Sequence, residues 1–454
     1  MVRIKEASVA GLFYPKTAEE IISVMKDYSE INKKVYPIST RAIIAPHAGY
    51  VYSGQIAAEA FQYLDDNVKN IFIIAPAHRV ETHNLVLSSF EEWNTPLGNI
   101  KVNQEINKEL IKKYSCEYAD NVFEPEHSAE VQVPFIQAKY KNVNIIPILV
   151  GAVSDDRLFR IISEYYEDEN NAFVISSDLS HFNKSQDAKV LDNVTANMIE
   201  GLDVSAFEHH QACGFHGIAA IVHFALTKSY SLVRVRLRNS GEITGENDSV
   251  VGYGAWILAE ESKTKFLKNN YADLIHLICV KTLVKSFDTT EIDIDKEFPN
   301  LPNVFAELGA CFVTLKKEGR LRGCVGSIIA HQQLVVDLMR NTYNAAFMDN
   351  RFEPLKKEEL DSLTLSVSLL STPIKMKFED EMDLLNKMRP YVDGIIIKDG
   401  NYQAVYLPSV WEELPNKIDF LRSLKEKAGM APNHFSNTFE AYRFTAEMVG
   451  HNQN

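Results

Sequence analysis

The sequence predicts two domains, a three-layer α/β domain over residues 1–262 and an α+β domain over residues 268–454. The chain has 454 residues, which is more than one ordinary hydrophobic core supports, so about two to four domains are expected. Short β-branched runs alternate with amphipathic stretches in the first part, whereas strands and helices interleave less regularly afterwards. A polar stretch over 260–270 shows neither the apolar period of a strand nor that of a helix, and it is predicted to be the linker.

Apolar runs without alternation predict strands of the first domain that are buried on both faces. These runs are RAIIAP (41–46), NIFIIAP (70–76), VNIIPILVG (143–151), AFVISS (172–177), SLVRVRL (231–237) and SVVGYGAWIL (249–258). A capping box of Thr17 and Glu20 predicts the first helix, and Ser53 is expected to cap the helix that follows it. Further helices are predicted over 105–114, 128–139, 155–166, 187–200 and 217–227.

The second domain is predicted to begin with a helix over 271–286 and to continue with a hairpin of GACFVTLK and RLRGCVGSII. A long helix over 332–347 follows, and then a strand, LTLSVSLLS. A second hairpin is expected around Asp399–Asn401 because Asp-Gly-Asn favours a tight turn.

Charge and cysteine usage exclude several classes of function. Lys and Arg number 47 against 61 Asp and Glu, so the net charge of −14 predicts neither a nucleic-acid nor a membrane partner. No apolar run approaches the 18 residues that a membrane span needs, and a cytoplasmic location is expected. The 5 cysteines include no CxxC, which argues against a disulfide framework, a zinc ribbon or an iron–sulfur cluster on this chain.

Three strand ends carry residues that suit metal chemistry. AIIAPH and FIIAPAH place His47 and His78 just after a buried strand and a proline, and FVISSDLSH delivers Asp178 and His181 in the same way. Because the carboxyl ends of strands line the ligand crevice of open α/β sheets, the imidazoles of His47 and His78 could bind one metal ion. Asp178 and His181 are three residues apart, so one helical turn would place them on the same face.

Each of these residues has a structural explanation when it is taken singly. A histidine after a strand is often a turn residue, and Asp178 could be a helix N-cap. Glu126 is interpreted as a helix-start residue in preference to a support for metal ligands. Cys213 and His216 lie in a glycine-containing turn before an apolar helix and add a thiol and an imidazole. Together the strand ends favour a shared metal or catalytic site, because a buried imidazole needs polar partners.

Seven ordered motifs over residues 1–260 resemble the Memo-like family. They are GLFYP, APHAGYVYSG, FIIAPAHR, EHSAEVQVPF, IIPILVGA, VISSDLSHF and SVVGYGA. That family resembles class III extradiol dioxygenases in fold, which implies a non-haem iron-type site with histidine ligands. The resemblance implies His47 and His78 as metal ligands, in a pocket lined by Asp178, His181, Cys213 and His216.

The resemblance leaves the third metal ligand open. Eukaryotic family members have a cysteine ligand near the last strands, but residues 229–258 contain no cysteine here. Glu242 is the candidate that replaces it, because Gly241 permits a tight turn after the strand SLVRVRL and extradiol dioxygenases use a glutamate ligand. Asp178 and Cys213 are alternatives. Two imidazoles and a carboxylate suit Fe(II), and Cu and Zn are the alternative ions.

Four segments of the second domain resemble the AMMECR family over roughly residues 270–450. They are ELGACFVTLKKEGRLRGCVGSI, NAAFMDNRFEPL, VDGIIIKDG and YLPSVWEEL. The LRGCxG motif supplies Arg322, Gly323 and Cys324, which suggests either a small-anion site or a nucleophilic thiol. A twisted strand with a buried cysteine and a structural arginine is the favoured alternative.

The fusion of these two modules resembles the AmmeMemoRadiSam system and implies a radical S-adenosylmethionine protein as partner. No CxxxCxxC occurs in this chain, so the radical cluster would reside on that partner. The predicted function is a redox or oxygenase-like reaction on a small cyclic substrate, with His181 as acid or base and Asp178 orienting it. A non-catalytic metal-binding module for the radical enzyme and a zinc hydrolase are the alternatives.

Overall fold

The computed structural model describes residues 2–31, 34–152, 156–203, 210–288 and 291–450. It divides into two compact units, a first unit Met1–Glu261 and a second unit Ser262–Asn454. Among the helices in the described ranges, none combines the length and apolar character needed to cross a bilayer.

The first unit contains strands β1 to β12 and helices α1 to α9. The strands are β1 (Ile4–Lys5), β2 (Ala42–Ala45), β3 (Asn70–Pro76), β4 (Leu85–Leu87), β5 (Glu92–Thr95), β6 (Gly98–Val102), β7 (Glu117–Tyr118), β8 (Asn144–Val150), β9 (Asn171–Ser176), β10 (His181–Asn183), β11 (Ser231–Asn239) and β12 (Val250–Ala259). The helices are α1 (Ala18–Ile31), α2 (Gln55–Phe61), α3 (Gln104–Tyr114), α4 (Asp120–Phe123), α5 (Val133–Lys139), α6 (Arg157–Tyr165), α7 (Ser185–Glu200), α8 (Phe215–Lys228) and α9 (Gly241–Thr244).

A mixed sheet of 12 strands forms the centre of the first unit. Strands β6, β8, β3, β9 and β2 are neighbours in that order and run parallel, whereas β12 pairs antiparallel with β2 and β11 with β12. Successive residues of the central strands, such as Ile43 and Ile44, are fully buried, so both faces of the sheet are covered. The predicted α/β class is confirmed.

Two local predictions at helix starts had different outcomes. The capping box is present, since Thr17 Oγ1 accepts from the N–H of Glu20 and the Glu20 carboxylate accepts from the N–H of Thr17, both at 3.3 Å. The prediction that Ser53 caps a helix is wrong. Tyr50–Gly54 forms a π-helical turn that continues into α2, and the hydroxyl of Ser53 donates to the carbonyl of Ala48.

The second unit is α+β and contains two antiparallel sheets. One sheet has the order β14-β13-β16-β21 with β15 paired to β13, and the other has the order β17-β20-β18-β19. The strands are β13 (Leu308–Lys317), β14 (Arg320–Gly326), β15 (Gln332–Gln333), β16 (Leu363–Leu370), β17 (Ile374–Lys375), β18 (Gly394–Asp399), β19 (Tyr402–Tyr406), β20 (Glu440–Phe444) and β21 (Ala446–Gly450). The helices are α10 (Lys263–Lys285), α11 (Ile294–Glu297), α12 (Leu334–Phe347), α13 (Glu381–Lys387) and α14 (Lys417–Lys427).

The polar stretch 260–270 is not an irregular linker. Ser262 caps α10 by accepting from the N–H of Lys265, and the helix begins at Lys263 and is kinked at Tyr271, where the predicted helix starts. Phe266 and Leu267 are buried at 0% and 1% exposure, so this turn packs into the second unit although most of its residues are polar. Two apolar residues in a polar stretch are too few to show helical periodicity in the sequence.

Candidate metal centre

The carboxyl ends of three neighbouring parallel strands, β3, β9 and β2, meet at one edge of the central sheet. His47 follows the end of β2, His78 follows the end of β3, and Ser176 is the last residue of β9. Ala45 pairs with Ser176 in the parallel register, which sets the start of the two following loops side by side. This arrangement brings together the two histidines that the sequence places after Pro46 and Pro76.

A cluster of three imidazoles lies at this edge. His47, His78 and His127 each offer one ring nitrogen, and these atoms all lie within 4.8 Å of one another. The ring centroids are 5.3 Å apart for His47 and His78, 5.5 Å for His47 and His127, and 5.1 Å for His78 and His127. Imidazole nitrogens at these separations could hold one transition-metal ion.

Hydrogen bonds determine which ring nitrogen of His47 carries the proton. Ser176 Oγ donates to the carbonyl of Ser128 at 2.7 Å, so it can only accept from Nδ1 of His47 at 2.9 Å. Gln132 Nε2 donates to the same oxygen at 2.8 Å and to the carbonyl of Pro46 at 3.0 Å, which fixes the orientation of its amide. Nδ1 of His47 is therefore protonated, and Nε2 carries the lone pair that could bind a metal ion.

Glu126 plays the equivalent part for His78. Its carboxylate accepts from Nδ1 of His78 at 3.1 Å and from the backbone N–H groups of His78, Arg79, His127 and Ser128. Burial alone would raise the pKa of Glu126, but the neighbouring imidazoles of His127 and His78 hold it well below its usual value. A buried carboxylate that receives Nδ1–H leaves Nε2 of His78 as the acceptor, which is the arrangement found behind metal-bound histidines.

The donor set fits a transition-metal ion. Burial, reinforced by the neighbouring imidazoles of His78 and His127, lowers the pKa of His47 well below its usual value, so this ring is neutral as a metal ligand requires. Nδ1 of His127 lies 3.1 Å from Glu126 Oε1 but is buried without an aligned hydrogen bond. A buried imidazole nitrogen without a hydrogen bond is costly unless another partner satisfies it.

Asp178 and Cys213 lie on the other side of His47. Asp178 Oδ1 accepts from the backbone N–H of His47 at 2.8 Å, and Oδ2 lies 4.0 Å from Nε2 of that ring. Burial raises the pKa of Asp178. Sγ of Cys213 lies 3.3 Å from Nε2 of His47, and burial, with the charge of Asp178, raises the pKa of this thiol. Both groups face Nε2 of His47.

Gly214 explains how Cys213 reaches this position. Its N–H donates to Ser177 Oγ at 2.9 Å, and a Cβ at Gly214 would lie 2.5 Å from the carbonyl oxygen of Ser176. Only glycine permits that close approach of the two backbones. The next turn carries His216, which lines a small pocket together with Cys213 and Pro76.

His181 is near the cluster without belonging to the group of three donors. Its Nδ1 donates to the carbonyl of Leu179 at 2.8 Å, which leaves Nε2 unprotonated when the ring is neutral. The ring is partly exposed, and its charge acts on the titration of both His47 and Asp178. His181 therefore lies close enough to interact electrostatically with His47 and Asp178.

The structure does not bring Glu242 to the cluster. Glu242 lies in the short helix α9, and its carboxylate forms an ion pair with Lys189 at 3.0 Å. Beside His47 and His78, the third donor is the imidazole of His127 in place of the carboxylate that the sequence suggested. His127 was missed because Glu126–Glu130 was interpreted as a helix start, although the chain turns at these residues before the helical segment begins at Glu130.

The LRGCxG motif of the second unit is built into a strand. Arg322 forms two hydrogen bonds with the carboxylate of Glu359, at 3.2 and 3.0 Å. A Cβ at Gly323 would lie 1.9 Å from the carbonyl oxygen of Ala345, so β14 crosses α12 at close range there. Cys324 Sγ lies 3.3 Å from the hydroxyl of Thr314. Arg322 thus binds Glu359, and Gly323 permits the close packing of β14 on α12, so both residues have structural roles.

Comparison with known proteins agrees with both resemblances. The family model described as Memo-like protein matches residues 5–257, and the one described as AMMECR1 matches residues 277–449. Protein MEMO1 of Homo sapiens is 31% identical over 290 residues, which covers 56% of this chain and 97% of that protein. MEMO1 family protein TV1383 of Thermoplasma volcanium is 29% identical over 274 residues, or 57% of this chain and 99% of that protein.

A solved structure, that of the uncharacterized protein PH0010 from Pyrococcus horikoshii, is 28% identical and has a TM-score of 0.37. The match covers 39% of this chain and 89% of the PH0010 chain. The chain thus belongs to the Memo-like protein family and carries an AMMECR1 domain in its second half.

Proposed function

We propose that the first unit is a non-haem metal enzyme that carries out a dioxygenase-like redox reaction on a small cyclic substrate. The observation that carries this proposal is the convergence of three imidazoles, two of which have their Nδ1 protons directed away from the cluster to Ser176 and Glu126. A bound Fe(II) ion would supply redox and Lewis-acid chemistry at this position. The resemblance of the family to class III extradiol dioxygenases supports Fe(II) over Cu or Zn.

In this proposal, each group of the chain has a separate task. His47, His78 and His127 hold the ion and leave further coordination positions for a substrate. Nε2 of His181 accepts or returns a proton, because its Nδ1 is already engaged with a backbone carbonyl. Asp178 fixes the loop of His47 through the backbone N–H, and its buried carboxyl faces the same ring.

A second candidate function is a non-catalytic metal-binding module that serves a radical S-adenosylmethionine protein. The fusion of Memo-like and AMMECR1 domains in one chain favours such a partner. The partial exposure of His78, whose side chain is 30% exposed, is compatible with an ion that is passed to or shared with another protein.

Metal analysis of protein purified without oxygen tests the proposal. The wild-type chain should retain about one Fe per chain, and His47→Ala, His78→Ala and His127→Ala should each lose most of it. His83→Ala is the matched control, because His83 is a histidine with a side chain that is 75% exposed. Stoichiometric iron whose spectrum changes on exposure to dioxygen or nitric oxide supports redox chemistry.

Two results would contradict the enzyme proposal. Stoichiometric Zn that persists under iron-replete growth would favour hydrolytic or structural chemistry. Equal iron content in wild type and in all three histidine variants would show that the three imidazoles do not hold the metal ion.

A further inference from the structure

A second pocket of the first unit shares no lining residue with the imidazole cluster. It lies between α1, the π-helical turn Tyr50–Gly54 and the segment from the end of β11 to α9. The residues that matter for its chemistry are Tyr28, Tyr50, Tyr52, Ile56, Arg238 and Ile243. A π-helical turn costs hydrogen-bond geometry and is found disproportionately at functional sites.

Arg238 brings a positive charge to this pocket. Its side chain is exposed, and it forms no ion pair or hydrogen bond with any residue in the described ranges. The charge of Arg238 acts on the nearby carboxylate of Glu59, but that carboxylate accepts its hydrogen bond from Nε of Arg236, at 2.7 Å. Glu242, which precedes the pocket residue Ile243, is held by Lys189. The hydrogen-bond donors of the Arg238 guanidinium therefore remain available for an anion.

The other walls of the pocket are aromatic and aliphatic. The hydroxyl of Tyr28 donates to the carbonyl of Tyr50 at 2.8 Å, which fixes the Tyr28 ring against the π-helical turn. Tyr52 and Ile243 are 43% and 40% exposed, although both are large and apolar. Aromatic rings offer broad contact area with little loss of side-chain entropy, so they suit a flat apolar ligand.

We propose that this pocket binds a small organic carboxylate with a planar, apolar body. The guanidinium of Arg238 matches a carboxylate with two parallel hydrogen bonds, and the rings of Tyr28 and Tyr52 stack on the planar part. Inorganic phosphate would use the arginine alone and gain nothing from the rings. The proposal does not depend on a metal at the imidazole cluster.

Benzoate is the probe, and binding is measured by ligand-observed NMR or calorimetry on the full chain freed of metal by chelation. Benzoate should bind, and Arg238→Gln should raise its dissociation constant about 10-fold, since a charge-assisted pair is lost. Tyr52→Ala should weaken binding too. Arg320→Gln is the matched control, because Arg320 is also exposed and forms no ion pair among the described residues. It should leave the dissociation constant unchanged.

Ligand controls separate the two parts of the proposed site. Benzyl alcohol, which keeps the ring without the charge, and acetate, which keeps the charge without the ring, should each bind about 10-fold more weakly than benzoate. Equal benzoate affinity in wild type and Arg238→Gln would overturn the proposal. So would equal affinity for acetate and benzoate. Benzoate binding that is lost in His78→Ala but kept in Arg238→Gln would assign it to the imidazole cluster instead.

Discussion

The hydroxyl of Ser176 and Nδ1 of His47 are 2.9 Å apart, and the proton between them belongs to the imidazole. Ser176 has one proton of its own, and it is used at the carbonyl of Ser128. Ser176, at the end of β9, thus determines the tautomer of His47, which follows β2. Nε2 of His47 carries the lone pair because a hydrogen bond to the neighbouring strand holds the proton on Nδ1.

Ser176→Ala removes that acceptor and should lower the affinity for the metal by about 10-fold or more. In the metal-free chain, ¹⁵N NMR of the wild type should show His47 protonated at Nδ1, and the variant should show a mixture of tautomers. The control is Ser231→Ala, which removes another buried hydroxyl whose donor bond goes to the carbonyl of Glu261. Unchanged metal affinity in Ser176→Ala, with His47 still protonated at Nδ1, would show that Ser176 does not determine the tautomer of His47.

The third metal ligand can be identified by comparing two variants. His127→Ala should reduce metal affinity by about 10-fold or more, whereas Glu242→Gln should not change it. The reason is that His127 offers a donor atom within the cluster while Glu242 pairs with Lys189. Titration with a metal-sensitive dye measures both. The opposite ranking would show that α9 moves to the cluster when the ion binds.

His181 should support proton transfer and not metal binding. His181→Ala is therefore expected to retain metal affinity within about 3-fold of wild type, because His181 is not among the three clustered donors. Metal content after anaerobic purification is the measurement. A loss as large as that of His47→Ala would make His181 a ligand.

Asp192 should make the stability of the first unit depend on pH. Burial raises the pKa of Asp192 to about 6, although the N–H of Ser180 donates to it at 3.0 Å. In the unfolded chain this carboxyl ionises near pH 4, so the unfolded state loses its proton first. Stability is therefore lost as the pH rises from about 4 to about 6, and it does not change further above that range.

Asp192→Asn keeps the acceptor oxygen and removes this titration. It should raise the free energy of unfolding by about 1 to 3 kcal/mol at pH 8 and have little effect at pH 4. Denaturant unfolding of both proteins at the two pH values gives the difference. An effect of the same size at both values would show that the charge of Asp192 is not its cause.

The domain boundary can be tested by expression of fragments. Fragments 1–261 and 262–454 should each unfold cooperatively, because each corresponds to a compact unit. A fragment 268–454 should be less stable than 262–454 by roughly 3 to 6 kcal/mol, because it lacks the buried side chains of Phe266 and Leu267. Calorimetry or urea unfolding compares them. Equal stability would mean that the first turn of α10 contributes nothing.

The sequence by itself predicted the long buried strands and most helices of the first unit and the two hairpins of the second, because apolar periodicity and turn residues are local properties. It did not predict short strands such as β4 and β5, nor the helices α11, α13 and α14. It also predicted His47 and His78, since a buried run, a proline and a histidine form a pattern within a few residues. The α+β class of the second unit followed from the same kind of evidence.

Only the tertiary structure decided the rest of the site. His127 joins the cluster because the loop before Glu130 reaches the ends of β2 and β3, and no local pattern encodes that distance. The same holds for Glu242, which lies in the short helix α9 and whose carboxylate meets Lys189. Which nitrogens can bind a metal depends on hydrogen bonds between residues 129 positions apart, such as Ser176 and His47, so it is fixed only once the strands have paired.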